Sequence, residues 1–292
     1  MAKIGFVGLG QVGKGICNNL IKAGHELCVY DVNPATMERF REKAVLAADL
    51  KEVCRCSEYI FLSLPNSEIV EATVDAFLEA GAEGRVVIDT STSYPGTTKK
   101  LYEKLKAVGG NLVDAPLMAG PAEAEAGILE IVVGGDLDVV EKLRFLFDAY
   151  CKEVKYVGTV GNGHLAKLAV NCCGLTQVLV MATLFPVMEK HGFDPKELNE
   201  FLNCGALSNW MSRFYGEKYM NRDYRLDFDL ALGYKDLTYA KKLYEDLHVP
   251  AFMLDGALDL CNMALQGRTP GEVRDFSYPC QTMHELVEQE KR

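Results

Sequence analysis

Two groups of residues have the types and spacing to do chemistry. The first is Lys167 with Asn171, inside the stretch Gly161-Asn-Gly-His-Leu-Ala-Lys167-Leu-Ala-Val-Asn171. Four residues apart on a helix, they stand one above the other on a single face. A lysine can take a proton and return it, and an asparagine amide can hold an oxygen without competing for that proton. Its neighbours on other faces (Leu165, Leu168, Val170, Leu175, Val178 and Leu179) are apolar. A lysine charge is costly to bury, so the plainer reading is a side chain that snorkels to solvent. The second group is Gly8-Leu9-Gly10-Gln11-Val12-Gly13, with Asp31 placed 18 positions after the last glycine. Glycines in this pattern suit a tight turn, a close approach of backbone to pyrophosphate, and packing of helix on strand.

The elements around the glycines decide their weight. Lys3 to Val7 reads as an apolar strand, Lys14 to Ala23 has helical spacing, and Glu26 to Tyr30 reads as a second strand closed by Asp31. In that setting the helix N-terminus holds phosphate charge. Asp31 can accept hydrogen bonds from adenosine ribose hydroxyls and would repel a 2′-phosphate. Val32-Asn33-Pro34 supply no arginine to rescue one, so the expected cofactor is NAD.

Strands and helices go on alternating to about Gly161, which predicts a mostly parallel, doubly wound sheet. Ligands in such sheets bind beyond the carboxyl ends of strands. Leu64-Pro65, Ser91-Thr92 and Met118-Ala119-Gly120 follow strand ends and are expected at one cleft. After Gly161 the pattern is helical only. The expected organisation is therefore an α/β dinucleotide-binding domain over 1–161 and an all-helical domain over 162–292. A long interdomain helix, Gly163 to Lys190, would join them, kinked or closed early by Pro186. Neither half suggests an internal repeat or a long linker.

The 292 residues carry a net charge of −10 with 49% hydrophobic content, a globular composition. The pI near 5.1 argues against nucleic acid and anionic membrane surfaces as partners. No run of 18 apolar residues suggests a membrane span. Met1-Ala-Lys-Ile-Gly-Phe-Val reads directly into a strand without a signal-peptide core, which points to a cytoplasmic protein. The ten cysteines lack paired zinc-type spacing and are expected as reduced thiols, mostly in cores, with no metal site.

Four segments together resemble the β-hydroxyacid dehydrogenase family, which includes 3-hydroxyisobutyrate dehydrogenases and tartronate semialdehyde reductases. They are Gly5-Phe-Val-Gly8-Leu-Gly10-Gln-Val-Gly13 with Asn19 to His25; Asp114-Ala-Pro116-Leu-Met118-Ala119-Gly120 with Ala126-Gly127; the Gly161 to Asn171 stretch; and Lys235-Asp236-Leu237. The resemblance covers nearly the whole chain. It implies a Rossmann-type domain, a helical C-terminal domain and reversible NAD(P)-dependent oxidation of a small, anionic β-hydroxy acid to its semialdehyde or ketone. It also implies roles: Lys167 as the catalytic lysine, Asn171 as the residue that orients the substrate, and Lys235 as a lysine closing over cofactor and substrate. Ser91 and Thr92 match the segment near the nicotinamide. Family members tend to oligomerise, which implies a dimer or tetramer. A nucleotide sensor on the same fold would not need Lys167 and Asn171 together, and imine reductases, a related class, usually lack the lysine.

This sequence departs from the family's pattern in two places: Val170 precedes Asn171 where the family usually has a second polar residue, and one loop differs. The family's Asp-Ala-Pro-Val-Ser-Gly-Gly holds the substrate carboxylate, and here Met118 stands for the serine and Ala119 for the first glycine. The substrate is therefore expected to differ from 3-hydroxyisobutyrate, with Lys235, Asn209 and Arg213 as other candidate donors. On composition alone Lys235 with Asp236 reads as a solvated surface pair; His164, three residues before Lys167, could face the cleft, although a helix-start histidine in contact with water is the plainer reading.

Overall fold

The computed structural model describes residues 1–118, 120–269 and 271–289. The chain divides into two compact units, 1–167 and 168–292. The first contains β1 (Lys3–Val7), α1 (Gly13–Lys22), β2 (Glu26–Tyr30), α2 (Pro34–Glu38), β3 (Val45–Leu46), α3 (Leu50–Cys56), β4 (Tyr59–Leu62) and α4 (Ser67–Ala80). It continues with β5 (Val86–Asp89), α5 (Pro95–Ala107), β6 (Asn111–Asp114), α6 (Pro121–Ala126), β7 (Leu129–Val133), α7 (Leu137–Phe147) and β8 (Cys151–Tyr156).

Six strands form one parallel sheet in the order β3-β2-β1-β4-β5-β6, with β7 and β8 paired separately. This is the strand order of Rossmann dinucleotide-binding folds. A parallel sheet covered on both faces needs near-continuous apolar strands, as Ile4, Phe6 and Val7 or Ile60, Phe61 and Leu62 provide. Phe6 and Phe61 stack with centroids 5.7 Å apart, and Tyr150 meets Phe61 edge-on. Each such ring removed from water contributes about 1.5–3 kcal/mol. The register sets Val7 beside Leu62, Leu62 beside Asp89, and Asp89 beside Asp114. All four strands thus end at one edge, and the segments that follow them emerge together.

The short helices α2, α3 and α6 are not anticipated by the apolar pattern, yet each carries a cap; at α2, Asn33 accepts from the Ala35 amide at 3.0 Å. Asp49 accepts from the Glu52 amide at 2.7 Å while Glu52 accepts from the Ala48 amide, which starts α3. The Gly120 amide donates to Glu123 at 3.1 Å at the start of α6. Asn19 on α1 then donates to the Ala124 and Gly15 carbonyls. A Cβ at Gly15 would lie 2.7 Å from Ala124, so α1 and α6 pack nearly backbone to backbone.

The second unit is helical: most of α8 (Asn162–Lys190), then α9 (Pro195–Leu202), α10 (Trp210–Met220), α11 (Leu230–Glu245), α12 (Phe252–Leu265) and α13 (Tyr278–Gln289). Helix α8 has 29 residues, about 44 Å at the usual rise, and the boundary between units falls within it. Pro186 does not close α8 early; the helix runs four residues beyond it, to the expected end at Lys190. Proline removes one backbone hydrogen bond, and here Ala182 and Phe185, buried in the core, hold the turn that it weakens. Among the described residues α8 is also the one helix long and apolar enough to cross a membrane by length and composition. Its apolar side chains serve another purpose: Leu175, Val178, Leu179, Ala182 and Phe185 follow three-and-four spacing into the core of this unit. Leu254 and Leu260 of α12 are buried in the same core, with Leu258 and Leu265 packed against it, while Met263 is 41% exposed. Half of the cysteines are buried, while Cys56, Cys173 and Cys204 are exposed.

Candidate active site

The loop between β1 and α1 is built around backbone that only glycine tolerates. Gly8 has φ +93°, and a Cβ there would lie 2.2 Å from the Ser63 carbonyl oxygen. At Gly10, by contrast, a Cβ would meet no atom within 4 Å, so the face of the loop is open. No protein acceptor takes the amides of Gly10, Gln11, Val12 or Gly13 among the described residues. Open space in front of unsatisfied amides at the start of a ten-residue helix fits a dinucleotide pyrophosphate. Leu9 contributes differently: its side chain is buried in the core, and its amide donates to Asp31 Oδ2 at 2.7 Å. Asp31 Oδ1 accepts from the Asn33 amide at 2.8 Å. The carboxylate at the end of β2 is therefore fixed against the glycine loop, where a ribose bound to that loop would reach it.

The neighbouring strand ends are tied to one another. Ser91 Oγ accepts from the Leu64 amide at 2.9 Å, and Thr90 Oγ1 donates to the Leu62 carbonyl at 2.7 Å. Asp89 accepts from the Ser91 amide and from Ser93 Oγ. Leu64 is partly buried, Pro65 exposed and Thr92 half-buried, so this edge presents backbone and small polar groups. Beyond β6, the Met118 amide donates to the Glu130 carbonyl at 2.9 Å and the Gly120 amide to Glu123. Two amides of this loop already have partners within the chain. Ala119 lies outside the described residues.

Asp114, at the end of β6, is fully buried and caps α8 across the fold. Its two oxygens accept from the Gly161 amide at 2.7 Å and the His164 amide at 2.9 Å. Gly163 is required at that junction, because a Cβ would lie 2.7 Å from both Asp114 O and Oδ2. Burial raises the Asp114 carboxyl's pKa, with His164 and the two amides pulling it back. His164 is not a solvated helix-start residue: it is 0% exposed. Its Nε2 lies 3.1 Å from the Ser91 carbonyl and its Nδ1 lies 2.8 Å from Thr98 Oγ1. A carbonyl can only accept, so Nε2 carries hydrogen and, in the neutral ring, Nδ1 accepts from Thr98. Sequence reading misses this because a histidine after glycine gives no sign of burial. Lys167 follows three residues later and is half-buried.

In the second unit, Asn171 is buried and its Nδ2 donates to Asp236 Oδ2 at 2.7 Å. Asp236 is only 4% exposed, and its Oδ1 lies 3.1 Å from Lys235 Nζ, so the surface-pair reading is corrected. Placed on α11, this carboxylate meets both Asn171 and Lys235. It fixes which end of the Asn171 amide faces it, since a carboxylate only accepts. Lys235 Nζ also lies 5.3 Å from the centre of the Tyr239 ring. The other candidate donors are less convincing. Asn209 caps α10 by accepting from the Ser212 amide and donates to Gln177, Arg213 is exposed and donates to Ser208, and Trp210 is 61% exposed against Phe214. Among the described residues no group of three His, Cys, Asp or Glu is placed to hold a metal ion.

A dinucleotide loop on a sheet of this order defines a nicotinamide-dependent oxidoreductase once the sequence matches are added. Residues 3–158 match a family model described as the NAD binding domain of 6-phosphogluconate dehydrogenase. Residues 161–279 match one described as NAD-binding of NADP-dependent 3-hydroxyisobutyrate dehydrogenase. The chain is 31% identical to 2-hydroxy-3-oxopropionate reductase of Escherichia coli over 241 residues, 82% of each chain. It is also 31% identical to the mitochondrial 3-hydroxyisobutyrate dehydrogenase of Drosophila melanogaster, over 81% of this chain and 76% of that one. A solved structure of 3-hydroxyisobutyrate dehydrogenase from Mycobacterium tuberculosis, with L-serine, shares the fold at TM-score 0.87 and 24% identity, covering 97% of this chain and 99% of that one. The chain belongs to the β-hydroxyacid dehydrogenase family.

Proposed function

We propose that this dehydrogenase interconverts a small, anionic β-hydroxy acid and its semialdehyde or ketone with NAD, using Lys167 as the general acid–base. When bound, the nicotinamide takes or gives the hydride. The chain's own residues handle everything else. Lys167 Nζ takes the hydroxyl proton in oxidation and returns it in reduction. Asn171, one helical turn away and held by Asp236, orients the substrate oxygen. Asp236 also holds Lys235, which closes over substrate and cofactor. Gly8, Gly10 and Gly13 with Asp31 hold the dinucleotide, and Leu64, Pro65, Ser91 and Thr92 form the edge beside its reactive end. The observation that carries this reading is the Asn171–Asp236–Lys235 arrangement, with Asn171 and Asp236 buried and Lys235 half-buried, which a nucleotide sensor would not need.

The substrate loop supports a substrate other than 3-hydroxyisobutyrate. Met118 brings no hydroxyl, and the Met118 and Gly120 amides are engaged by Glu130 and Glu123. A carboxylate therefore finds fewer donors there than the family's usual serine and glycines offer. Steady-state kinetics over a panel of β-hydroxy acids and semialdehydes test the proposal. Turnover is expected with at least one member, at a kcat/KM above that for 3-hydroxyisobutyrate. In Lys167→Ala, kcat should fall by roughly 10²–10⁴ while NADH binding changes little. Near-normal turnover by that variant would remove Lys167 from the mechanism.

A further inference from the structure

Buried polar side chains of the first unit gather at the ends of β5 and β6: Asp89, Ser91, Ser93, Thr98, Asp114 and His164. His164 touches three separate segments of this cluster. Its Nε2 donates to the Ser91 carbonyl at 3.1 Å, and its Nδ1 lies 2.8 Å from Thr98 on α5. Its main-chain amide donates to Asp114 at 2.9 Å. A buried imidazole is stable only when both nitrogens are satisfied, and here both are. The Ser91 carbonyl belongs to the peptide that joins Ser91 to Thr92, so the ring fixes that peptide plane. The Ser91 hydroxyl in turn holds the Leu64 amide. On the other side, His164 lies in the first turn of α8, three residues before Lys167. Residues three apart on a helix share a face, so a shift of one turns the other with it.

We propose that His164 is a positioning residue for hydride and proton transfer, one that sets Lys167 against the strand-end loop Ser91-Thr92. The inference rests on the function proposed above for these three residues. A side chain with two fixed hydrogen bonds and no contact with solvent locks the spacing between the loop and the first turn of α8. Catalysis is sensitive to such spacing, because small misplacements remote from the reacting atoms lower the rate while binding persists.

The test separates positioning from folding by counting sites. His164→Ala, His164→Gln, His164→Asn and Lys167→Ala are compared with the unaltered protein. NADH titration gives sites per chain and Kd, and kcat is expressed per NADH site. Glutamine can place an amide nitrogen near Nε2 and keep the bond to the Ser91 carbonyl. Asparagine reaches only toward Thr98. The expected result is a kcat per site lowered ten- to a hundredfold in His164→Ala and His164→Asn, with NADH Kd within about threefold. His164→Gln should recover to within about fivefold of the unaltered protein. If the alanine variant does not fold, the glutamine–asparagine pair still decides. Equal kcat per site in those two variants, or a loss that appears only as fewer NADH sites, would overturn the positioning role. Normal turnover by Lys167→Ala would instead overturn the proposed acid–base role, whatever the His164 variants do.

Discussion

At the scale of single residues, Asp31 is expected to decide between the two nicotinamide cofactors. Its carboxylate is held by the Leu9 and Asn33 amides. It cannot swing away from an adenosine 2′-phosphate without giving up both bonds. We expect at least a tenfold preference for NAD over NADP in kcat/KM, equivalent to about 1.4 kcal/mol. Asp31→Arg should move the preference toward NADP while lowering overall efficiency, since the variant also loses the tie to the glycine loop. Equal use of both cofactors by the unaltered protein would refute the role of Asp31. Lys235 and Asp236 show how far a residue's neighbours change its meaning. Adjacent charges read from sequence look like a solvated pair, and burial of Asp236 beside Asn171 makes them part of one arrangement.

At the scale of elements, the start of α8 depends on a residue almost fifty positions earlier. Asp114 accepts two amides that helix geometry leaves without internal partners. Asp114→Ala would orphan both in a buried place, at about 2–4 kcal/mol of stability. Denaturant unfolding should show that loss, and Asp114→Asn, which keeps one acceptor, should lose less. An unchanged unfolding midpoint in Asp114→Ala would mean that the cap contributes nothing. The family motifs acquire a physical reason here. Asp114 of one motif needs Gly163 of another, because any larger residue would collide with it. Asn19 and Gly15 of the cofactor segment likewise need the short α6 that ends before Gly127.

At the scale of the whole molecule, the expected assembly needs an exposed apolar surface, and the apolar face of α12 does not supply it. The leucines of α12 fill the core of their own unit. Leu247, Phe252 and Met253, around the turn from α11 to α12, are each about three-quarters exposed (74%, 75% and 76%). Large apolar side chains grouped in this way commonly meet a partner. We expect a dimer or tetramer, and light scattering should report at least twice the 32.3 kDa of one chain at micromolar concentration. Phe252→Glu with Met253→Lys should shift that mass downward, and a monomer in the unaltered protein would reject the expectation.

The sequence by itself determined the elements whose signals are local. Glycines at 8, 10 and 13 between a strand and a helix, with Asp31 after the next strand, specify a dinucleotide fold because turn geometry and apolar period lie within thirty residues. The long unbroken helical run of α8 was equally plain, as was the change from alternating strands and helices to helices alone. Short elements were not: α2, α3, α6 and β3 have too few residues for a clear period. The persistence of α8 past Pro186 was decided by core packing around Phe185, which outweighs one missing hydrogen bond. Only tertiary structure decided what His164 and Asp236 do. Each is a polar residue whose partners lie some sixty or more positions away: Thr98 and Ser91 for one, Asn171 for the other. Burial turns such a residue from a surface charge into a fixed hydrogen-bonding group, and burial is a property of the assembled fold.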